Sequence, residues 1–132
     1  MLTVTISSFS FLYGPKPVDT SKNGGGFVFD CRALTNPGKF DEYKPFSGKD
    51  KIVSQFLDQD KDVQHFLDLV FKMVSQSVKK YIERDFEHLM VSFGCTGGQH
   101  RSVYAAEQLA QYLNDNFNIS IKISHLREEI WG

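Results

Sequence analysis

The chain has 132 residues, 41% of them hydrophobic and 14% aromatic, with only four prolines. This predicts one domain over residues 1–132 that buries a core without disulfides or metal, and it excludes a disordered or fibrous chain. Fifteen Lys and Arg against sixteen Asp and Glu leave a net charge of −1, which excludes wholesale electrostatic binding to nucleic acid but not a local basic patch.

Two cysteines, Cys31 and Cys95, are too few for a disulfide framework. The opening Met1 to Ile6 has neither the basic start nor the small-residue cleavage site of a signal peptide. No apolar run approaches the ~20 residues needed to span a bilayer. A cytoplasmic location with reduced thiols and no membrane contact is the expectation. Asn118-Ile119-Ser120 fits a glycosylation sequon and is read as chance without a secretory route.

In chain order, Leu2, Val4 and Ile6 alternate with Thr3, Thr5 and Ser7, the period of a half-buried strand. A break follows with Gly14, Pro15, Pro17 and the triplet Gly24-Gly25-Gly26, read as a flexible surface loop rather than a phosphate cradle. Phe27-Val28-Phe29 is a continuous apolar run, as in a parallel sheet with helices on each side, and it ends in Asp30-Cys31-Arg32. Ala33 to Gly48 is irregular, and a loop this long inside a small domain is functional or mobile.

Ile52, Val53, Phe56 and Leu57 then give a short helical stripe with Asp50 at the N-cap position. Val63, Phe66, Leu67, Val70, Val74 and Tyr81 keep helical spacing over about five turns. Lys72, Lys79 and Lys80 fall mainly on the other side, a solvated face that with Arg84 also offers a modest basic patch. Leu89 to Phe93 is a third strand. Ala106, Leu109, Ala110 and Leu113 mark a helix that starts at about Ser102, and Ile119, Ile121 and Ile123 alternate with polar residues as a fourth strand. The tail from Leu126 to Gly132 is short and acidic at Glu128-Glu129. Strand, loop, helix and strand from Leu89 to Ser124 argue an α/β fold, a small mixed or parallel sheet of about four strands flanked by helices.

The chemistry converges on Gly94-Cys95-Thr96-Gly97-Gly98-Gln99-His100-Arg101-Ser102, between a strand and a helix start. Successive amides in such a turn form a concavity, and the helix dipole adds positive charge. Gly97 and Gly98 permit close backbone approach and positive φ. Arg101 offers a planar fork for two phosphate oxygens, and His100 a further donor. The segment reads as a phosphate-binding loop. It is not a Walker A loop, because the Gly-Lys-Ser/Thr ending is absent and Ser47-Gly48-Lys49 lacks the upstream glycine.

Cys95 and Arg101 also stand in a Cys-x5-Arg arrangement, similar to the signature of cysteine-dependent tyrosine phosphatases, in which a thiolate attacks phosphorus while Arg holds the oxygens. Gly94 stands where a histidine usually precedes that cysteine. Asp30, Asp41 and Asp50 are general-acid candidates by loop position alone. An inert cysteine beside a binding loop is favoured over catalysis, so no catalytic residue is assigned outside this alternative. Asp30 and Arg32 leave a strand at its carboxyl end, where α/β sheets build sites, but they can equally pair with each other. Asn36-Pro37 can be only a turn. His65 and His88 stand apart from other ligand types, so no metal or cofactor is expected. His125 either reaches the loop or faces solvent, and Trp131 reads as a packing contact.

Gly94 to Tyr104, followed by Ala106-Glu107-Gln108-Leu109-Ala110, closely resembles the RapZ C-terminal domain family, named for an RNase adapter protein. Phe27 to Arg32 with Asn36-Pro37, and Ser8 to Phe11 with Tyr13-Gly14, resemble the same family. The resemblance implies a regulatory domain that binds a sugar phosphate, notably glucosamine-6-phosphate. It also implies, as partner, a regulatory small RNA presented to a ribonuclease, or a protein. It carries anion binding onto Cys95, Thr96, Gly97, Gly98, Gln99, His100, Arg101 and Ser102, with Asp30, Arg32 and Asn36 at the pocket rim. Family members usually carry an N-terminal P-loop nucleotide-binding domain, so the chain is expected to be part of, or paired with, a kinase- or P-loop-type domain, or else to stand alone. Leu126-Arg127-Glu128-Glu129 replaces the family's basic tail, which weighs against RNA binding. The Gly24-Gly26 loop is longer than usual in the family.

Overall fold

In the computed structural model, which describes residues 1–131, four strands form one sheet: β1 (Thr3–Ser10), β2 (Phe27–Asp30), β3 (His88–Cys95) and β4 (Ser120–His125). Their order is β2-β3-β1-β4 and every neighbouring pair is parallel. The helices are α1 (Lys51–Asp58), α2 (Lys61–Glu83), α3 (Arg101–Asn116) and a final turn α4 (Glu128–Trp131). The expected α/β fold is the one observed, with the sheet parallel rather than mixed. The helices expected on each side of Phe27–Phe29 lie on one face, and Val28 is exposed on the other.

Register explains the layers. Val4, Ile6 and Ser8 stand beside Leu89, Val91 and Phe93 of β3 and Ile121, Ile123 and His125 of β4. Successive side chains of a strand point to opposite faces, so these residues share one face. Most of them join a core that also takes Val53 and Leu57 of α1, Val63, Leu67, Val70, Val74 and Val78 of α2, and Leu109 and Leu113 of α3. The helices α1 to α3 therefore cover one side. The reverse face carries Thr5, Ser7, Met90 and Ser124, and the β1–β2 loop at Pro15 to Val18 fronts it in place of a helix. Small hydroxyl side chains need no apolar cover, which is why a loop suffices there.

Asp60 caps α2 by accepting from the amides of Asp62 and Val63 at 2.9 and 3.1 Å. Asp50 does sit at the N-cap of α1, but its carboxylate accepts from Ser47 N at 2.7 Å rather than from the helix. Because all four strands run the same way, Ser10, Asp30, Cys95 and His125 end at one edge of the sheet. Open α/β sheets hold their sites at such an edge.

Candidate functional site

Between the end of β3 at Cys95 and the start of α3 at Arg101, the chain turns through Thr96 to His100. Gly98 takes φ +68°, and a Cβ there would lie 2.9 Å from Ser10 N and 3.0 Å from the Phe9 carbonyl carbon. Only glycine fits that position. Gly97 differs from the expectation: its φ is not positive, and nothing lies within 4 Å of where its Cβ would be. The turn is thus tight at Gly98 and open at Gly97. A Cβ on Gly94 would fall onto the rings of Phe9 and Phe11, so the histidine of the phosphatase signature has no room here.

The carbonyls of the turn point into protein partners. Ser10 Oγ donates to Thr96 O at 2.5 Å, Gly48 N to Gln99 O at 2.9 Å, and Trp131 Nε1 to Gly98 O at 3.1 Å. Gln99 reaches the other way, its Nε2 donating to the carbonyls of Lys44 and Phe46 at 2.8 Å each. By contrast, the amides of Thr96 through His100 donate to no protein acceptor among the described residues. Thr96 and Gly97 are exposed, and the segment stands at the positive end of the α3 dipole.

Arg101 lies beneath this turn at 5% exposure. Its Nη1 donates to the carbonyls of Arg32 and Leu34 at 2.8 and 3.0 Å, and its Nη2 reaches Thr96 Oγ1 at 3.4 Å. Nε is buried without a partner. One arm of the fork is thus spent binding the β2 exit to the turn, which the sequence had no means of showing. His100 is also drawn inward, with Nε2 3.0 Å from Tyr43 O. Burial holds its ring below the usual imidazole range against the opposing pull of that carbonyl, so it is a neutral donor. Cys95 Sγ and Ser102 Oγ pair at 3.1 Å at the buried base.

The rim residues are occupied with each other. Arg32 grips Asp30 through Nε at 2.9 and 3.1 Å and through Nη2 at 2.8 Å, and its guanidinium lies 4.0 Å over the Phe11 ring. That grip holds the Asp30 carboxyl below its usual range. Asn36 caps a 3₁₀ turn at Pro37–Lys39, its Oδ1 accepting from Gly38 N at 3.0 Å. Cys31 is fully buried, and burial first, then the nearby Cys95, raises its thiol well above the ordinary range.

Several site residues escaped the sequence reading. Ser10 gives its hydroxyl to the turn, and residues 43–48, part of the stretch expected to be functional or mobile, form a wall against Gln99 and His100. His125 reaches neither the turn nor solvent: its Nδ1 lies 2.6 Å from Ser8 Oγ and its Nε2 2.9 Å from Glu107 Oε2. Trp131 packs edge-on to His125 while bonding the turn.

Comparison with known proteins places this arrangement in context. The family model described as the RapZ C-terminal domain matches residues 2–129. A protein named nucleotide-binding protein from Clostridium kluyveri is 39% identical over 132 residues, covering 99% of this chain and 43% of that protein. One of the same name from Fervidobacterium nodosum is 37% identical over 120 residues, 90% of this chain and 40% of that protein. Another from Aeromonas hydrophila is 42% identical over 110 residues, 83% and 36% of the two chains. The chain spans about two-fifths of the length of such relatives. With its family model matched almost end to end, the chain belongs to the RapZ C-terminal domain family.

Proposed function

We propose that the chain is a regulatory binding module whose turn at Cys95–Ser102 takes the phosphate of a phosphorylated small molecule, with glucosamine-6-phosphate as the first ligand to test. The observation that carries this reading is the set of backbone amides from Thr96 to His100, none of which donates to a protein acceptor among the described residues. A run of unpaired amides at a helix N-terminus suits a tetrahedral anion. Buried Arg101 supports it twice, by fixing the turn to the β2 exit and by setting a permanent positive charge behind the amides. Asp30, Arg32 and Asn36 shape the rim through backbone and turn geometry, since their side chains are engaged elsewhere. Nucleotide binding, which the relatives' name records, is assigned to a P-loop-type domain that works beside this one.

Calorimetric titration with glucosamine-6-phosphate beside inorganic phosphate tests the reading. A preference for the sugar phosphate, with the ester intact afterwards, is expected. Arg101→Ala removes the bonds that fix the turn to the Arg32 and Leu34 carbonyls and the charge behind the amides. It should weaken binding by about 1.5–3 kcal/mol, the range for hydrogen bonds to a charged group. Unchanged affinity in that variant, or no binding by the parent, would overturn it.

The pairing of Cys95 Sγ with Ser102 Oγ at the base of the turn favours one other reading, a cysteine-dependent phosphatase. Against it, each proposed general acid is engaged: Asp30 with Arg32, Asp41 with Lys44, Asp50 with Ser47 N. Rapid alkylation of Cys95 at mildly acidic pH, with release of inorganic phosphate, would favour it. A small-RNA adaptor role would use the patch of Lys72, Lys79, Lys80 and Arg84 on and beside α2, where Lys72 and Lys80 already pair with Asp68 and Glu83 and, of these four, Lys79 and Arg84 form no ion pair among the described residues.

A further inference from the structure

Resting on the phosphate reading above, we infer that Arg127 is the second cation of the site, meeting the anion from the β4 side while Arg101 holds the turn from the β2 side. Three observations converge on it. The first is place. Arg127 follows β4 by two residues, and its side chain lies across the turn. Its Cγ is 2.9 Å from where a Cβ on Gly98 would be, and its Cδ and Nη1 are 2.9 and 3.0 Å from the same point on Gly14. Both glycines have positive φ, +68° and +74°, and any side chain at either would displace the arginine.

The second is charge. None of the ion pairs among the described residues includes Arg127, and its Nε is buried without a hydrogen-bond partner. Arg32, which leaves the opposite outer strand at the same end of the sheet, is by contrast engaged by Asp30 through Nε and Nη2. The guanidinium rests 5.6 Å from the centroid of the Tyr13 ring, which presents its plane without neutralising it. Nε is closed to solvent, so an anion would meet Arg127 through Nη1 and Nη2.

The third is fixation. The chain is pinned on both sides of Arg127. Upstream, His125 is held between Ser8 and Glu107, and Leu126 N donates to Ser8 O at 2.9 Å. Downstream, Ile130 N donates to Arg127 O at 3.0 Å and Trp131 to the Gly98 carbonyl. A planar fork held this way is preorganised for two oxygens of one phosphate. Two cations on one phosphate favour its dianion.

The test is calorimetry of inorganic phosphate on the 132-residue chain and on Arg127→Gln and Arg127→Lys, at about pH 6 and about pH 8, either side of the second phosphate ionisation. The parent should bind more tightly at the higher pH. Arg127→Gln should lose about tenfold or more in affinity and most of that pH gain, with an unchanged melting temperature. Arg127→Lys should keep the pH gain but recover only part of the affinity, because it restores charge without the fork. Parent-like affinity and pH dependence in Arg127→Gln would overturn the inference while leaving the phosphate reading intact. No phosphate binding by the parent would overturn both. Should Arg127→Gln fail to fold, Arg127→Lys decides alone: full parental affinity would refute a role for the fork.

Discussion

Two glycine-rich turns in this chain look alike as text and differ as structures. In the turn at Gly97-Gly98, positive φ occurs at Gly98, where a Cβ would lie 2.9 and 3.0 Å from backbone atoms of Ser10 and Phe9, and side-chain hydrogen bonds tie the surrounding residues to four separate segments, at Ser10, Arg32, Lys44 and Trp131. In the turn at Gly24-Gly25-Gly26, Gly24 and Gly25 take φ +85° and +123° with nothing within 4 Å. There the ties are local, Asp19 Oδ2 accepting from Gly25 N at 2.8 Å, with Asn23 Nδ2 to His88 O at 3.2 Å the reach to the sheet. Glycine gives both turns their shape, but the second meets the sheet at its ends, at Asn23 and at Gly26, where a Cβ would fall onto the Met90 carbonyl. The glycines at its tip stand free, while the first turn is bonded from several segments. A turn held so firmly can leave its amides unpaired, whereas a loosely held turn would collapse onto them.

Substitutions should separate the two. Gly98→Ala combines left-handed strain with a clash against backbone, and should cost about 3 kcal/mol, a fall of roughly 10 °C in melting temperature, with loss of phosphate binding. A cost below about 1 kcal/mol would show the turn to be as yielding as the other one. A smaller effect comes from His100, whose folded ring titrates below the ordinary value of 6.5 because it is buried. Between those two values the unfolded chain binds the proton that the folded chain refuses. Stability is therefore complete above about pH 6.5 and is lost as pH falls through that region. Urea midpoints at about pH 7.5 and pH 5.5 should show the drop, and His100→Gln should flatten it. The smallest effect is expected at Gly24→Ala, about 1 kcal/mol or less with phosphate binding unchanged, since conformation alone is strained there. A larger loss would mean that this loop, too, is a built wall.

The strands and long helices were legible because each is written locally. Val4 and Ile6 declare a period of two, and Val63, Leu67, Val70 and Val74 a period near four. The motif Gly94–Ser102 was legible for the same reason, and α3 begins at Arg101, one residue before the expected start. The frame around the motif was not. Arg101 binds the carbonyls of Arg32 and Leu34, and carbonyls carry no residue identity that a sequence can announce. Ser8 and His125 are 117 residues apart and are brought together only by the β1–β4 register. The alternation at the start of β1 correctly gave a half-buried strand as far as Ile6. It did not show that Ser7 to Ser10 are buried on both faces, because that burial comes from the distant β1–β2 loop and the turn itself.

The ties on the turn have one more consequence, for when the site comes into being. Its partners lie 86 residues away at Ser10, 69 and 67 at Arg32 and Leu34, 57 to 53 at Tyr43 to Phe46, and 33 at Trp131. Each closure is a separate entropic cost, repaid only when the strands have already found their order. A nascent or proteolytically nicked chain that lacks any one of these segments still carries the glycines and the arginine, but not the geometry. Ligand binding should therefore report the integrity of the fold from its first strand to its single tryptophan.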